Sequence, residues 1–484
     1  MDDFRRRQRL RAVHDRAPPG LVSRDDSDCI SSDPAGTVTD RLNKAFESGG
    51  QGYKLQLCPG ETYTLTDTIF YTAPGQELST AGYPTGDDRA LLVINGAINN
   101  GTGHTTAVDA SCDDCDNTSL RNVQIFGNRG DRTITTGGAN IEFGGQNSGQ
   151  LIEYVRSYDP RSWSCLHVAE GGDTCTSITV QNNDIGPAGV DVFQQWADGI
   201  SVACRNSIVR NNIVHNPTDG GIVIFGSPGT QVYNNTIEVH NQTLLGGINL
   251  VDFGAFKGDY TGTVVRDNTI YGGFATDDED EDGQTKGEND DDAIIKMGIA
   301  IGPRAWFGGN AYNNISSSGT VINNKFSGAF TYGIALTSAK NFTVTGNSFT
   351  GNYSFIGARG PNCSDNATPS PGAFVVDQKT AVQSTYQTDF VAISDGDSLT
   401  CVLPPDGGDY WPYRADPNPS ARKHGLSGGA KAGIAIGVIF GVIALGIAAW
   451  FIRRWALNRA NAQRMYKASR RSQLMANKNP NKAY

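Results

Sequence analysis

No helical period of useful length runs through residues 177–350 of this 484-residue chain, which excludes a helical repeat there. Aromatic residues are scarce, at 9%. Basic residues are outnumbered, 40 Lys and Arg against 50 Asp and Glu. The net charge of −10 argues against a nucleic-acid partner. Residues 1–16 are basic and carry no apolar core, so they do not read as a secretory signal as they stand. Neither cysteine nor an N-x-[ST] sequon follows Lys431, although nine of each precede it. That one-sidedness points to an oxidising, glycosylating compartment for the larger part. It conflicts with the missing signal, and the expectation is a truncated start. The odd cysteine count leaves a thiol free or paired to another chain. Cys112-Asp-Asp-Cys115 has no second pair and reads as disulfide halves in a loop.

What is there is repetition. SITVQNND, SIVRNNIV, QVYNNTIEV, TVVRDNTIY, TVINNKFSG and FTVTGNSF share one Asn, at Asn183, Asn212, Asn235, Asn268, Asn324 and Asn347. The gaps are 29, 23, 33, 56 and 23 residues, the spacing of a solenoid, with 56 holding two periods and an insertion. A second phrase, Gly-Ile-x-hydrophobic, reads GISVAC, GIVIFG, GINLVD, GIAIGP and GIALTS from Gly199, Gly221, Gly247, Gly298 and Gly333. Alternating apolar residues are strand signals, punctuated by Gly and Asn turns. Short strands in units of about 23 residues predict an all-β parallel β-helix, because one coil cannot bury its own apolar face and stacked coils can. The recurring Asn then forms a ladder at one corner.

Residues 37–48 predict an amphipathic helix with Val38, Leu42, Ala45 and Phe46 on one face, stopped by Gly49-Gly50. A strand running into Pro59-Gly60 follows. This opening resembles that of pectin-lyase-like right-handed β-helix proteins, and the resemblance implies that the helix caps the first coil. The phrases WADGISVAC and TDGGIVIFGSPGTQVYNNTI are similar to those of fungal right-handed β-helix proteins with no settled activity. The polygalacturonase-like motifs are absent apart from Asp291-Asp292, and so is the pectate-lyase-like R-x-P-x-x-R.

The expected organisation is a disordered segment at 1–36, a capped β-helix ectodomain at 37–403 with its coils at about 53–360, and a Pro/Gly/Ser-rich linker at 404–430. One transmembrane helix follows at 431–452, then a basic cytoplasmic tail at 453–484. Gly433, Gly437 and Gly441 form overlapping GxxxG spacings, a face for helix-mediated dimerisation. The acidic insertion at 277–292 contains Asp278, Asp280 and Asp282 before Gly283, the first half of a calcium loop that lacks the twelfth-position Glu. It reads as a solvated loop, with weak calcium binding as the alternative.

Candidate chemistry comes from aligning the coils. Asp198 precedes Gly199-Ile200, and Asp219 precedes Gly220-Gly221-Ile222, one position further from its Ile. This places two carboxylates on consecutive coils at the same strand entrance, the residue type that glycoside hydrolysis uses as acid and as base or nucleophile. A lyase would instead need a base and a cation for a uronate. Trp196 stands ready to stack on a sugar, and His215, Lys296 and Arg304 lie nearby in coil order. Glu142, His167 and Ser201 fall in one outward column. The blander reading of each Asp before Gly is an Asx turn. The expected function is a carbohydrate-active hydrolase or lyase at the cell surface, acting on an acidic or plant-type polysaccharide. The alternative is a non-catalytic wall-binding module.

Overall fold

The computed structural model describes residues 29–400, apart from 191, 193–194, 274–292, 309–313, 356–368 and 398. Three faces of short parallel strands stack into a coil. The first face is an eleven-stranded sheet. The second and third are joined into one sheet because a 12-residue strand, Lys325–Leu336, runs round the corner between them. Among the described residues, the one antiparallel pair of strands is the small hairpin Ile98–Asn99 with Thr102–Gly103, beside an isolated antiparallel bridge between Gly189 and Trp196.

The first face follows directly from period-2 patterning. Each three-residue strand buries its middle residue, so Val180, Val209, Val232, Val265 and Val321 stack in register through the core. Each such buried aliphatic contributes about 1.5–3 kcal/mol, and no single coil could bury them alone.

The Asn ladder forms at the corner between the first and second faces. Each Oδ1 accepts from the backbone N–H and from Nδ2 of the Asn one coil earlier, at 2.9–3.1 Å. Each Nδ2 also donates to a backbone carbonyl of the coil before. The 56-residue gap, expected to hold two periods, is one coil with a long insertion, because Asn268 bonds Asn324 directly. The residue preceding each ladder Asn has positive φ, at Asn182, Asn211, Asn234, Asp267, Asn323 and Gly346. Asn, Asp and Gly tolerate that conformation best, which is why the repeat reads Asn-Asn, Asp-Asn or Gly-Asn. The ladder ends on other groups: Val155 N–H donates to Asn183 Oδ1, and Gln387 Oε1 accepts from Asn347 N–H.

The Gly-Ile phrase has a steric cause. A methyl added to Gly221 would sit 2.9 Å from Ile237 Cδ1, a core side chain of the second face, and 2.5 Å from the Gly247 carbonyl. Gly199, Gly247, Gly298 and Gly333 are pressed in the same way against Val214, Ile270, Phe326 and Phe349. Glycine and the following Ile therefore both face inward. The residues on either side of the pair, Asp198 and Ser201 in the first copy, point away from the core on the third face, yet both are buried.

The N-terminal helix spans Val38–Gly49 and buries Val38, Leu42 and Phe46 on the first coil, as expected. Two boundaries move. Residues 29–36, expected to be disordered, are ordered from Cys29 onward: Cys29 bonds Cys58, and Ile30 pairs beside Leu57. The coils also run past residue 360, since Gly372–Val376 and Val391–Ala392 continue the third face. Cys175–Cys204 staples adjacent coils, whereas Cys112 and Cys115 bond each other within one turn. Cys165 is free and buried. No helix among the described residues is long and apolar enough to cross a membrane. The linker, the 431–452 segment with its GxxxG glycines, the tail, Asp291-Asp292 and the calcium-loop candidates Asp278, Asp280 and Asp282 lie outside the described residues. No metal-ligating cluster occurs among the residues that are described.

Candidate active site on the third face

Strand register on the third face sets two outward columns. One runs Asp109, Glu142, His167, Ser201, Val223, Asn249, Ala300 and Ala335. This contains the expected Glu142–His167–Ser201 stack, and His167 Nδ1 lies 2.7 Å from Glu142 Oε2. The other column runs through Ser164 and Asp198, then Gly220, Gly246, Met297 and Tyr332.

Asp198 is 7% exposed, and both of its oxygens are engaged. Gly220 N–H donates to Oδ1 at 2.7 Å and Ser201 Oγ donates to Oδ2 at 2.8 Å. Ser201 Oγ in turn lies 3.1 Å from Ser164 Oγ. Asp219 is offset from Asp198 by one residue: Gly220 takes the level of Asp198, and Asp219 lies beside Ala197, to whose carbonyl its N–H donates. The extra glycine of Gly220-Gly221 causes this offset. The Gly220 amide nevertheless ties Asp198 to the residue immediately after Asp219.

Burial pushes the Asp198 carboxyl well up, and the charges of Asp219 and Asp252 push it further. Burial raises Asp219 to about 6. Asp252, just past the strand Thr243–Leu250, is raised to about 7 by burial and by the charge of Asp219. Three carboxyl groups therefore share one region at a cost to their charged forms. Burial and the neighbouring charges thus favour the protonated form of Asp198, while Asp219 ionises at about 6, a bias that suits one group to proton donation and the other to acting as a base.

The surroundings are shaped by missing side chains. A methyl on Gly220 would lie 2.9 Å from both Asp198 Oδ1 and Asn249 Nδ2. A methyl on Gly246 would lie 2.1 Å from Asn249 Oδ1 and 2.7 Å from Trp306 Cζ3. Trp163 meets the His167 ring edge-on at 4.8 Å. Beyond Trp306 the face is closed. Val251, Met297, Ala300, Tyr332, Ala335 and Val375 form a second apolar cluster under Ala305 and Leu399.

The other expected site residues fall differently. Trp196 is half-buried, two residues before Asp198, and pairs its backbone with Gly189. His215 is on the second face, not the third, because it ends the strand Ile213–His215 before the corner. There Nε2 lies 2.7 Å from Asp184 Oδ1, and Nδ1 bonds Glu238 Oε1. Arg304 belongs to the short helix Pro303–Phe307, its side chain is 30% exposed, and its Nε bonds Asp397. Lys296 is 3% exposed, and burial drives its ammonium well below the ordinary range. Sequence reasoning missed Asn249, Asp252, Ser164, Trp163 and Trp306. A signal existed for two of them: Asn249 takes the third place of GINLVD, where GISVAC has Ser201, and Asp252 ends the same phrase.

Several solved structures are similar to this chain. A surface adhesin of Streptococcus pneumoniae is 13% identical with a TM-score of 0.43, the match covering 75% of this chain and 90% of the adhesin. An endo-xylogalacturonan hydrolase from Aspergillus tubingensis is 13% identical with a TM-score of 0.40, covering 74% of this chain and 98% of its own. The A-module of a mannuronan C-5 epimerase from Azotobacter vinelandii is 12% identical with a TM-score of 0.39, covering 73% and 95%. No curated protein gives a significant sequence match. Residues 111–385, more than half of the chain, match the family model described as the right handed beta helix region, and this chain belongs to that right-handed β-helix family.

Proposed function

We propose that the third face hydrolyses glycosidic bonds of a polysaccharide, with Asp198 as proton donor and Asp219 as base or nucleophile. The observation that carries this reading is the pair itself: two carboxyl groups on consecutive coils, joined through the Gly220 amide, with different proton affinities. Asp198 protonates the leaving oxygen, and Asp219 supplies negative charge to an oxocarbenium-like centre or to the attacking water. The Ser164–Ser201 hydroxyl pair can reverse its hydrogen bonds when Asp198 gains or loses its proton at Oδ2. A lyase reading is less favoured, because Arg304 already pairs through Nε with Asp397 and Lys296 is buried in the wall.

The second reading is a binding module without turnover. It is favoured by the full hydrogen-bonding of Asp198, which a purely structural turn would also show. Incubating the full chain with a polysaccharide panel separates the two. Hydrolysis yields new reducing ends that Asp198→Asn and Asp219→Asn abolish. Unsaturated ends, or binding without any product, reject it. The same proposal places the face outside the cell, with residues 431–452 as the membrane anchor and residues 453–484 as the cytoplasmic tail. Protease added to intact cells should then remove the β-helix and spare the tail, and protection of the β-helix would reject that topology.

A further inference from the structure

The third face has a defined chemical polarity, and that polarity bears on the ligand class, resting on the hydrolytic reading above. Asn249 is 1% exposed, yet its Oδ1 has no hydrogen-bond partner among the described residues. A buried carbonyl oxygen left without a donor costs about 1–3 kcal/mol, so its position calls for a donor from elsewhere. It sits over Gly246, and the same side chain reaches the Gly220 shelf beside Asp198 Oδ1. The neighbouring groups are acceptors too, namely the carboxyls of Asp198, Asp219 and Asp252, whose charges act on one another.

The basic side chains named above are held by acids or buried. His167 is held by Glu142, Arg304 by Asp397, and His215 and His240 face Glu238 at the corner. Lys296 is sealed in the wall. A sugar carboxylate entering here would therefore meet acceptors and like charge, and would be desolvated without a partner. A sugar hydroxyl or ammonium group would supply the donor that Asn249 Oδ1 lacks. Two half-buried indoles flank this region, Trp306 beside Asn249 and packed on the second apolar cluster, and Trp163 beside His167.

We infer that this site takes an uncharged or amino-bearing glycan, donating a hydroxyl or ammonium hydrogen to Asn249 Oδ1, and discriminates against polyuronates. This departs from the acidic polysaccharide expected from the sequence.

The test uses the full chain in detergent and affinity electrophoresis against four polymers: a neutral β-glucan, chitosan, polygalacturonate, and polygalacturonate whose carboxyls have been reduced to hydroxymethyl groups. The expected result is at least tenfold tighter binding of the reduced polymer than of its parent, and a loss of about tenfold in that binding in Asn249→Leu. The chitosan and glucan arms separate the ammonium from the hydroxyl donor. A second measurement needs no variant. Added salt should strengthen the residual polygalacturonate binding, because it screens repulsion, and leave β-glucan binding unchanged. Equal or tighter binding of the unreduced polyuronate, its weakening by salt, or no binding of any of the four overturns the inference. If the preference holds but no reducing ends appear, the inference stands and the hydrolytic reading alone fails. If polygalacturonate is the polymer preferentially cleaved, the hydrolytic reading stands and the inference alone fails.

Discussion

The second face around His215 and the third face around Asp198 both carry buried ionisable groups and treat them in opposite ways. On the second face, His215 sits between Asp184 and Glu238, and Tyr271 and His240 also bond Glu238. Burial alone would lower His215, but those two carboxylates outweigh it and raise the imidazole to about 9. Glu238 is held well below the usual carboxylate range, because its hydrogen bonds to His215, His240 and Tyr271 overcome an opposing burial effect. Each charge there has a complement, so the network favours the folded state. On the third face, Asp198, Asp219 and Asp252 are pushed up together with no described cation placed among them. A structural network settles its charges, whereas a catalytic one holds them where they are uncomfortable. The difference between the faces is thus the physical argument for placing chemistry on the third.

That comparison can be broken at several points. The largest effect is expected on activity. Asp219→Asn keeps the shape but cannot ionise, and should lower the rate of reducing-end release about 10³-fold, or about 4 kcal/mol. A rate within threefold of the parent would remove Asp219 from the chemistry. Next comes a position that belongs to neither face and sets the stability scale. Asn235→Ala deletes a ladder rung and leaves the Asn212 amide without its buried acceptor. It should cost about 3 kcal/mol in denaturant unfolding, and a loss below about 1 kcal/mol would demote the ladder.

The two faces should then move in opposite directions. Asp252 has a folded value near 7, above its unfolded one, so the native state binds the extra proton and loses stability as pH rises from about 4 through 7. Asp252→Asn should therefore stabilise the protein by about 2 kcal/mol at pH 8 and by almost nothing at pH 4. Destabilisation at pH 8 would mean that the carboxylate is compensated after all. The raised value of His215 also means more protons bound in the folded state. Its contribution is fully present below about 6.5 and is lost as pH rises through about 9. His215→Gln should cost about 1–2 kcal/mol at pH 6 and close to nothing above pH 10. A loss independent of pH would assign His215 a packing role only.

Much of this fold is legible in the sequence. The Asn-Asn pairs announced a corner because the first residue must adopt positive φ and the second must bridge coils, and few residue types do either. The Gly-Ile phrase marked the third face because only glycine fits beneath Ile237 or Phe326. The capping helix was legible from its apolar face. The tying of residues 29–36 was not, since it depends on the Cys29–Cys58 partnership and on Ile30 finding Leu57, neither of which is a local pattern.

The site was half legible. Counting from the ladder brought Asp198 and Asp219 to neighbouring coils, and the same counting found Glu142, His167 and Ser201. It misplaced His215 and Arg304 because coil order says nothing about which face a residue occupies or which acid reaches it first. Asp397, far along the chain, claims Arg304, and the corner after residue 215 turns His215 away from the third face. Asn249 was missed although its phrase was in view, because an unsatisfied oxygen becomes visible only when every neighbour has been accounted for.

The most direct test of the central claim is the pH profile of reducing-end release by the full chain, beside Asp219→Asn, on the polymer it binds best. Release by the parent chain should rise along an acid limb near pH 6 as Asp219 ionises, and the variant should lose both the limb and the product. Binding of that polymer with no new reducing ends at any pH would contradict the account.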